Sequence, residues 1–419
     1  MNILLTSLMV PGAPSGVRVH YERLAEQLRQ QGHTVTVITQ DNLRPGIRKT
    51  IGAVRRGLKL ALGKFGLQLA IELGSVAEIY FAIDRSAHYD VVNAQDVSSG
   101  WAARLAFRDR VPVVITGHFN DHPAEELVHQ QGFKGVTASF LHRWYNFLLS
   151  RTRYFIGVSD YVLQRTLPWL PADALHTVVY NGVDMAKLAR PAAYAAPTDV
   201  PDLRAMFPGR KIVLNIGHLE PRKNQRYLVQ VAAELRHHDP SFVLVLVGKG
   251  EDEPVLKQMI AEAKLEQNVV LLGYHRNVVA LLHAADLYVH AATRENCPLV
   301  LLESMAAGCP AVALAVGGIP ELLASTPDAL VPVTTEPAVM AQHLRALLAS
   351  PDALNRMQQQ QHKFGKIQFD ASTMVARTVA FFEQARQHQQ PVPASAPGQT
   401  TNTAQPSYLE ALPSAKEVG

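Results

Sequence analysis

Glu295 and Glu303 stand eight positions apart, with Asn296, Cys297, Pro298, Leu299 and Val300 between them and the apolar run Leu287 to Ala292 just ahead. Asp286 to Ala291 reads as a short buried strand. Pro298 to Ala307 instead places Leu299, Leu302, Met305 and Ala306 at helical spacing and stops at Gly308 before Pro310. Glu295 is thereby assigned to a strand-to-helix loop and Glu303 to the helix. Pro298 suits the first helical position, since its missing N–H would have no intrahelical partner, and this puts Asn296 or Cys297 at the cap. The amides of Leu299 and Val300 then point forward with the positive end of the helix dipole, a ready site for a phosphate. A nucleoside diphosphate-sugar lying across this terminus would offer its sugar hydroxyls to Glu295 and its ribose hydroxyls to Glu303. Spacing alone leaves two other readings open: solvated surface acids, or the paired carboxylates of a glycosidase.

Gly217-His218-Leu219-Glu220-Pro221-Arg222-Lys223-Asn224 follows a strand and opens a helix, so Lys223 can sit on a diphosphate as a point charge with Arg222 or His218 assisting. The alternative is a surface lysine. Pro11 to Gly16 follows the first strand, and its glycines let backbone amides approach a phosphate or sugar. It matches neither the dinucleotide fingerprint nor a Walker loop, and Val247-Gly248-Lys249-Gly250 is only a partial one. His118 comes just past the end of a strand, where a cleft-facing side chain is expected, although most lone histidines are structural. His118 and His122 have metal-ligand spacing but no nearby third ligand, so no metal is expected.

Arg44, Arg48, Lys49, Arg55, Arg56, Lys59 and Lys64 occur with no acid until Glu72, while Ile47, Ile51, Val54, Leu58, Leu62, Phe65 and Leu69 form a helical stripe. A basic amphipathic helix over residues 44–69 can lie on an anionic membrane surface, pack its stripe on the domain, or bind an anionic acceptor.

The chain has 419 residues, near half of them apolar, which is enough for two sizeable cores. Forty Lys and Arg against 36 Asp and Glu is far from the basic saturation of a nucleic-acid binder, so no nucleic-acid partner is expected. Cys297 and Cys309 flank one helix, which argues against a disulfide and for a reducing cytosol. Met1 to Val10 lacks a basic start and a cleavage site and reads as a buried strand, and no run of some twenty apolar residues is present to span a membrane.

Strand-like runs alternate with helical patterns from the first residue to Tyr180, predicting a parallel, helix-covered sheet. Asn181-Gly182 reads as a turn, and the proline-rich stretch Ala189 to Arg210 as a connection. The same grammar restarts at Lys211, a last helix runs over about 370–387, and 388–419 has the composition of a disordered tail. The expected organisation is therefore a first Rossmann-like domain over 1–190, a second over 191–369, and a cleft between the carboxyl ends of two doubly wound α/β sheets.

Taken together, Glu295-x7-Glu303, Met305-Ala306-Ala307-Gly308-Cys309-Pro310 and Gly317-Gly318-Ile319-Pro320-Glu321 resemble the retaining glycosyltransferases of family 4, which have the GT-B fold. Gly32-His33-Thr34-Val35, Asn181-Gly182-Val183-Asp184 and Val247-Gly248-x-Gly250 match further landmarks, so the resemblance covers most of Met1 to Gln387. It implies that the second domain binds a nucleotide-sugar, that the first binds a glycan or lipid-linked acceptor, and that the last helix crosses back. It further implies that Glu295 contacts the donor sugar, Glu303 the ribose, Lys223 the diphosphate and His118 the sugar from across the cleft. Gly16 would line the cleft, Tyr274 and His275 would lie near the base, and Cys297, Leu299 and Val300 would stand beside the diphosphate. The implied chemistry needs no metal and no cofactor beyond the nucleotide-sugar. His218 stands where the family carries arginine, which shifts leaving-group stabilisation toward Lys223 and Arg222. A sugar-nucleotide epimerase or phosphorylase-like enzyme on the same fold, and a non-catalytic sugar-nucleotide-binding protein, are the alternatives.

Overall fold

The computed structural model describes residues 1–9, 15–191, 197 and 199–389. The expectations for Pro11 to Pro14 and for the tail beyond residue 389 lie outside the described residues. Six parallel strands form the first sheet: β1 (Asn2–Thr6), β2 (Thr34–Ile38), β3 (Val91–Ala94), β4 (Val113–Gly117), β5 (Tyr154–Gly157) and β6 (Leu175–Val178), in the order β2-β1-β3-β4-β5-β6. The second sheet contains β7 (Lys211–Ile216), β8 (Phe242–Val247), β9 (Val269–Gly273), β10 (Leu287–His290), β11 (Ala311–Leu314) and β12 (Leu330–Val331). Its order is β12-β11-β10-β7-β8-β9, again parallel.

Runs such as Phe242 to Val247 are apolar throughout rather than alternating because helices cover both faces, and every one of these residues is buried. Each sheet reverses its winding once, between β1 and β3 in the first and between β7 and β10 in the second. Such switch points open crevices at the carboxyl ends of the flanking strands. The loops after β3, β4, β7 and β10 carry Gln95, His118, Lys223 and Glu295 respectively.

The chain passes between domains twice, and the two crossings are zipped together. Val183 donates its amide to Phe369 O at 2.9 Å, and Ala371 donates to Val183 O at 2.9 Å. Asn181-Gly182 is thus the start of an extended crossing rather than a turn. The final helix, Ala371–Gln389, buries Met374, Val375, Phe381, Phe382 and Ala385 in the first domain's core with Ile3, Leu5 and Leu24. Within the expected connection, Leu203–Met206 forms a short helix that plants Leu203 in the second core, which the prolines around it had obscured.

The Pro45–Ala82 segment departs from the expected continuous helix over 44–69. Gly63, at φ 58° and ψ −137°, reverses the chain, so residues 45–62 and 64–82 form the two arms of a hairpin. The arms pack antiparallel, with Arg55 Nη2 3.4 Å from Glu78 Oε1, and a Cβ on Gly66 of the second arm would fall 2.1 Å from Leu58 O of the first. The second arm joins the core through Val76 and Ile79 against Ala102, Ala103 and Phe107. By length and composition this segment alone among the described helices passes for a membrane span. The reversal arose at a glycine that the apolar stripe does not mark.

Candidate active site

The glutamate of the β10 loop lies inside a cationic nest. Glu295 Oε2 contacts Lys223 Nζ directly, lies 3.3 Å from Arg222 Nη1 and 3.7 Å from His290 Nε2. Burial works against ionisation here, but Lys223, His290 and Arg222 more than offset it and hold the carboxyl well below the usual carboxylate range. His290 is itself buried, which lowers its pKa, and its Nδ1 lies 2.8 Å from the Tyr288 hydroxyl. The two loops are also tied through their backbones, because Thr293 donates to Arg222 O at 2.9 Å and Arg222 Nη1 to Arg294 O at 3.1 Å.

Gly317-Gly318 holds this loop from behind. Gly318 donates to Glu295 O at 3.2 Å, and a Cβ on Gly317, which has φ 54°, would fall 1.8 Å from that same oxygen. Only glycine fits such an approach. Glu321, at the end of the same motif, reaches the other domain: its carboxylate accepts from the amides of Asp160 and Tyr161 at 2.7 and 2.8 Å and from the Tyr180 hydroxyl at 3.0 Å. It caps the Asp160–Thr166 helix of the first domain from the second. Asn296 adds a further bridge by donating to Phe119 O.

Glu303 sits on the Leu299–Ala306 helix, as its spacing predicted. The helix begins one residue later than expected, with Pro298 at the cap in extended conformation (φ −68°, ψ 123°). Leu299 and Val300 supply its opening amides. Burial raises the Glu303 carboxyl, opposed by Arg23 of the first domain, whose Nη2 lies 3.8 Å away while its Nη1 donates to Gly182 O at 2.7 Å.

Across the cleft, His118 Nε2 lies 3.0 Å from Gln95 Oε1. The proton on that nitrogen follows from the partners behind it. Asn93 Nδ2 faces the carbonyl of Val114 at 3.3 Å, a group that only accepts, and Thr116 Oγ1 at 2.9 Å. Asn93 Oδ1 must then accept from Gln95 Nε2, at 2.6 Å, which leaves Gln95 Oε1 to accept from His118 Nε2–H. Burial and the neighbouring His20 push the His118 pKa well down, so the ring is neutral and its Nδ1 is an acceptor. The His20 ring stands edge-on to it at 4.8 Å, and burial followed by Arg23 pushes His20 down to about 4.

The remaining sequence candidates fall outside these clusters. His218 is more than half exposed and faces Glu251 Oε2 at 3.4 Å, so Arg222 and not His218 joins the nest. Cys297 is buried, its thiol pushed up by burial, and it contributes its carbonyl to Asn181 Nδ2 at 2.7 Å. Tyr274 is exposed beyond β9, with His275 Nε2 3.3 Å from Leu272 O. Gly16 opens the Gly16–Gln30 helix at the β1 switch point, with open space where a side chain would stand. His122 caps the Pro123–Gln131 helix instead of pairing with His118. Arg23, Gln95, Asn93, Glu321 and His290 were not singled out from the sequence. Only Glu321 carried a signal, as the last residue of the Gly317-Gly318-Ile319-Pro320-Glu321 string.

The model described as glycosyl transferases group 1 matches residues 204–364, and that described as glycosyltransferase family 4 matches residues 14–187. The chain belongs to this glycosyltransferase family. The glycogen synthase of Mycobacterium tuberculosis H37Rv is 25% identical to the glycosyltransferase over 426 residues, spanning 94% of this chain and 97% of its own. The N-acetyl-alpha-D-glucosaminyl L-malate synthase of Bacillus anthracis is 25% identical over 72% of this chain and 76% of its own. Among solved structures, Anabaena HepE in complex with UDP superposes with a TM-score of 0.66 at 21% identity, covering 92% of this chain and all 100% of that one. Sucrose-phosphate synthase of Thermosynechococcus elongatus gives 0.68 at 18%, over 93% and 100%. The fold of the glycosyltransferase is GT-B, two Rossmann-like domains facing across a cleft.

Proposed function

We propose that the glycosyltransferase moves a sugar from a nucleoside diphosphate-sugar to an acceptor hydroxyl with retention of anomeric configuration, in the synthesis of a glycan, polysaccharide or glycolipid. The observation that carries this reading is the meeting of Lys223, Arg222 and Glu295 at the switch point of the second sheet, with Asn296 reaching Phe119 O next to His118 on the loop after β4 of the first. Binding of a uridine diphosphate donor by the structural neighbour HepE supports the donor class.

In this reading the diphosphate lies over the amides of Leu299 and Val300, with Lys223 and Arg222 neutralising it. Glu303 accepts from the ribose hydroxyls, and Tyr274 and His275 flank the base. Once the diphosphate draws Lys223 and Arg222, the Glu295 carboxylate is released to accept from sugar hydroxyls. His118 receives another sugar hydroxyl at Nδ1, since Nε2–H is committed to Gln95. The bond from the anomeric carbon to the phosphate oxygen breaks with its electron pair on the departing diphosphate. The acceptor oxygen attacks the same face, and its proton passes to the leaving phosphate oxygen. Positively charged side chains supply the electrostatic stabilisation, so turnover is proposed to be metal-independent.

The location proposed is the cytoplasm, peripheral to an anionic membrane surface that residues 44–69 engage. Donor turnover by Glu295→Ala and Lys223→Ala tests the assignment, with a loss of about 10²–10³ in kcat expected for removal of a charge-stabilising donor. Near-wild-type rates in both variants overturn it.

A further inference from the structure

We propose that the tip of the Pro45–Ala82 hairpin is a wedge that inserts into an anionic lipid bilayer; the proposal rests on the peripheral membrane reading above and assigns its contact. At the reversal Leu60 is 88% exposed and Leu62 51% exposed, one residue either side of Ala61, while Lys59 and Lys64 stand exposed beside them. Leu60 gains little from the folded domain, and Leu62, packed beside Gly66, still leaves half of its surface in water.

The apolar surface continues onto a second element. Phe65, just past the reversal, stacks edge-on with Phe140 at 5.7 Å, and Val136, one turn before Phe140 on the Gly135–Leu149 helix, is 72% exposed. Lys134 is exposed beside it.

Charge selects the occupant. Arg44, Lys49 and Arg56 are exposed along the first arm and continue the basic line to Lys59 and Lys64. The acids of the second arm are spent internally. Glu72 is buried, accepting from Gln68 at 2.7 Å and Tyr145 at 2.9 Å, and Glu78 pairs with Arg55. Exposed leucines flanked by Lys59 and Lys64, which pair with no acid among the described residues, match a headgroup layer over acyl chains, where apolar side chains sink and basic ones stay at the phosphates. A soluble anionic glycan would meet the charges but leave Leu60 and Leu62 in water, so the bilayer is favoured.

The test uses the full chain with phosphatidylcholine vesicles, with and without phosphatidylglycerol. Co-sedimentation with the anionic vesicles is expected, weakened about tenfold or more in Leu60→Ser/Leu62→Ser, a change that leaves every charge in place. Because Cys297 and Cys309 are buried, Leu60→Cys can be labelled selectively with an environment-sensitive dye, whose emission is expected to shift to the blue on anionic vesicles. If the protein sediments but the dye does not shift and the Ser variant binds equally, the wedge is refuted while the peripheral reading stands. If the wild type ignores anionic vesicles at low salt, both fail. Retention of the wild type on an anionic polysaccharide but not on vesicles also refutes the wedge, and reassigns the basic arm to a glycan.

Discussion

Gln95 Oε1 lies 3.0 Å from His118 Nε2 and, through Asn93 and the carbonyl of Val114, fixes which nitrogen of the imidazole carries the proton. Gln95→Leu removes that constraint and is expected to lower kcat about fivefold, the worth of one hydrogen bond of about 1 kcal/mol. Gln95→Glu places a carboxylate against Nε2–H and raises the His118 pKa from its depressed position, so the acidic limb of the kcat/KM profile moves to higher pH. Identical profiles for Gln95→Glu and the wild type would refute the tautomer assignment.

Lys223 and Glu295 are a partly buried pair, and removing Lys223 leaves the carboxylate with Arg222 as its remaining close cation. Lys223→Met should cost about 1–3 kcal/mol of stability, partly recovered in Lys223→Met/Glu295→Gln without recovery of turnover. The Glu295 carboxyl is depressed in the folded state, so its contribution is complete above the unfolded carboxylate pKa and is lost as pH falls through the lower folded value. Denaturant titrations of Glu295→Gln should therefore show a deficit at neutral pH that fades in acid.

Arg23 opposes the raised pKa of Glu303. A carboxyl raised on folding keeps its proton longer in the folded state than in the unfolded one, so stability falls as pH climbs from the unfolded pKa to the folded one and is level beyond it. Arg23→Gln lifts that carboxyl further. Its stability should match the wild type more closely in acid and fall about 1–2 kcal/mol below it towards neutral pH. A pH-independent deficit would show that Arg23 acts only through Gly182.

Glu321 joins the domains by capping the Asp160–Thr166 helix. In Glu321→Gln the charge-assisted cap is weakened by about 1.4 kcal/mol, so amides 160–163 should exchange with solvent about tenfold faster. Unchanged exchange there would reduce the contact to a passive neighbour.

Much of the frame was legible along the chain. The apolar strand runs alternate with helical periods, restart at Lys211 and place Glu295 on a loop and Glu303 on a helix, because strand and helix periodicity are local properties of the backbone. The same locality failed at Gly63, where a single backbone dihedral converts one amphipathic stripe into two antiparallel arms. It failed again at Pro298, where a one-residue shift in the helix start was beyond what periodicity resolves.

Sequence by itself determined the two-domain parallel α/β architecture, since buried strands need continuous apolar runs, and it supplied the residue types of the proposed donor site, where a phosphate would need cations and helix amides. Tertiary structure alone decided which charges meet. Arg23 reaches Glu303 and Glu321 reaches Asp160 across long separations, Arg222 displaces His218 from the nest, and Gln95 sets the proton on His118. Those pairings depend on the order in which the strands lie in each sheet and on how the two sheets face one another, and neither quantity is written in any local window of the chain.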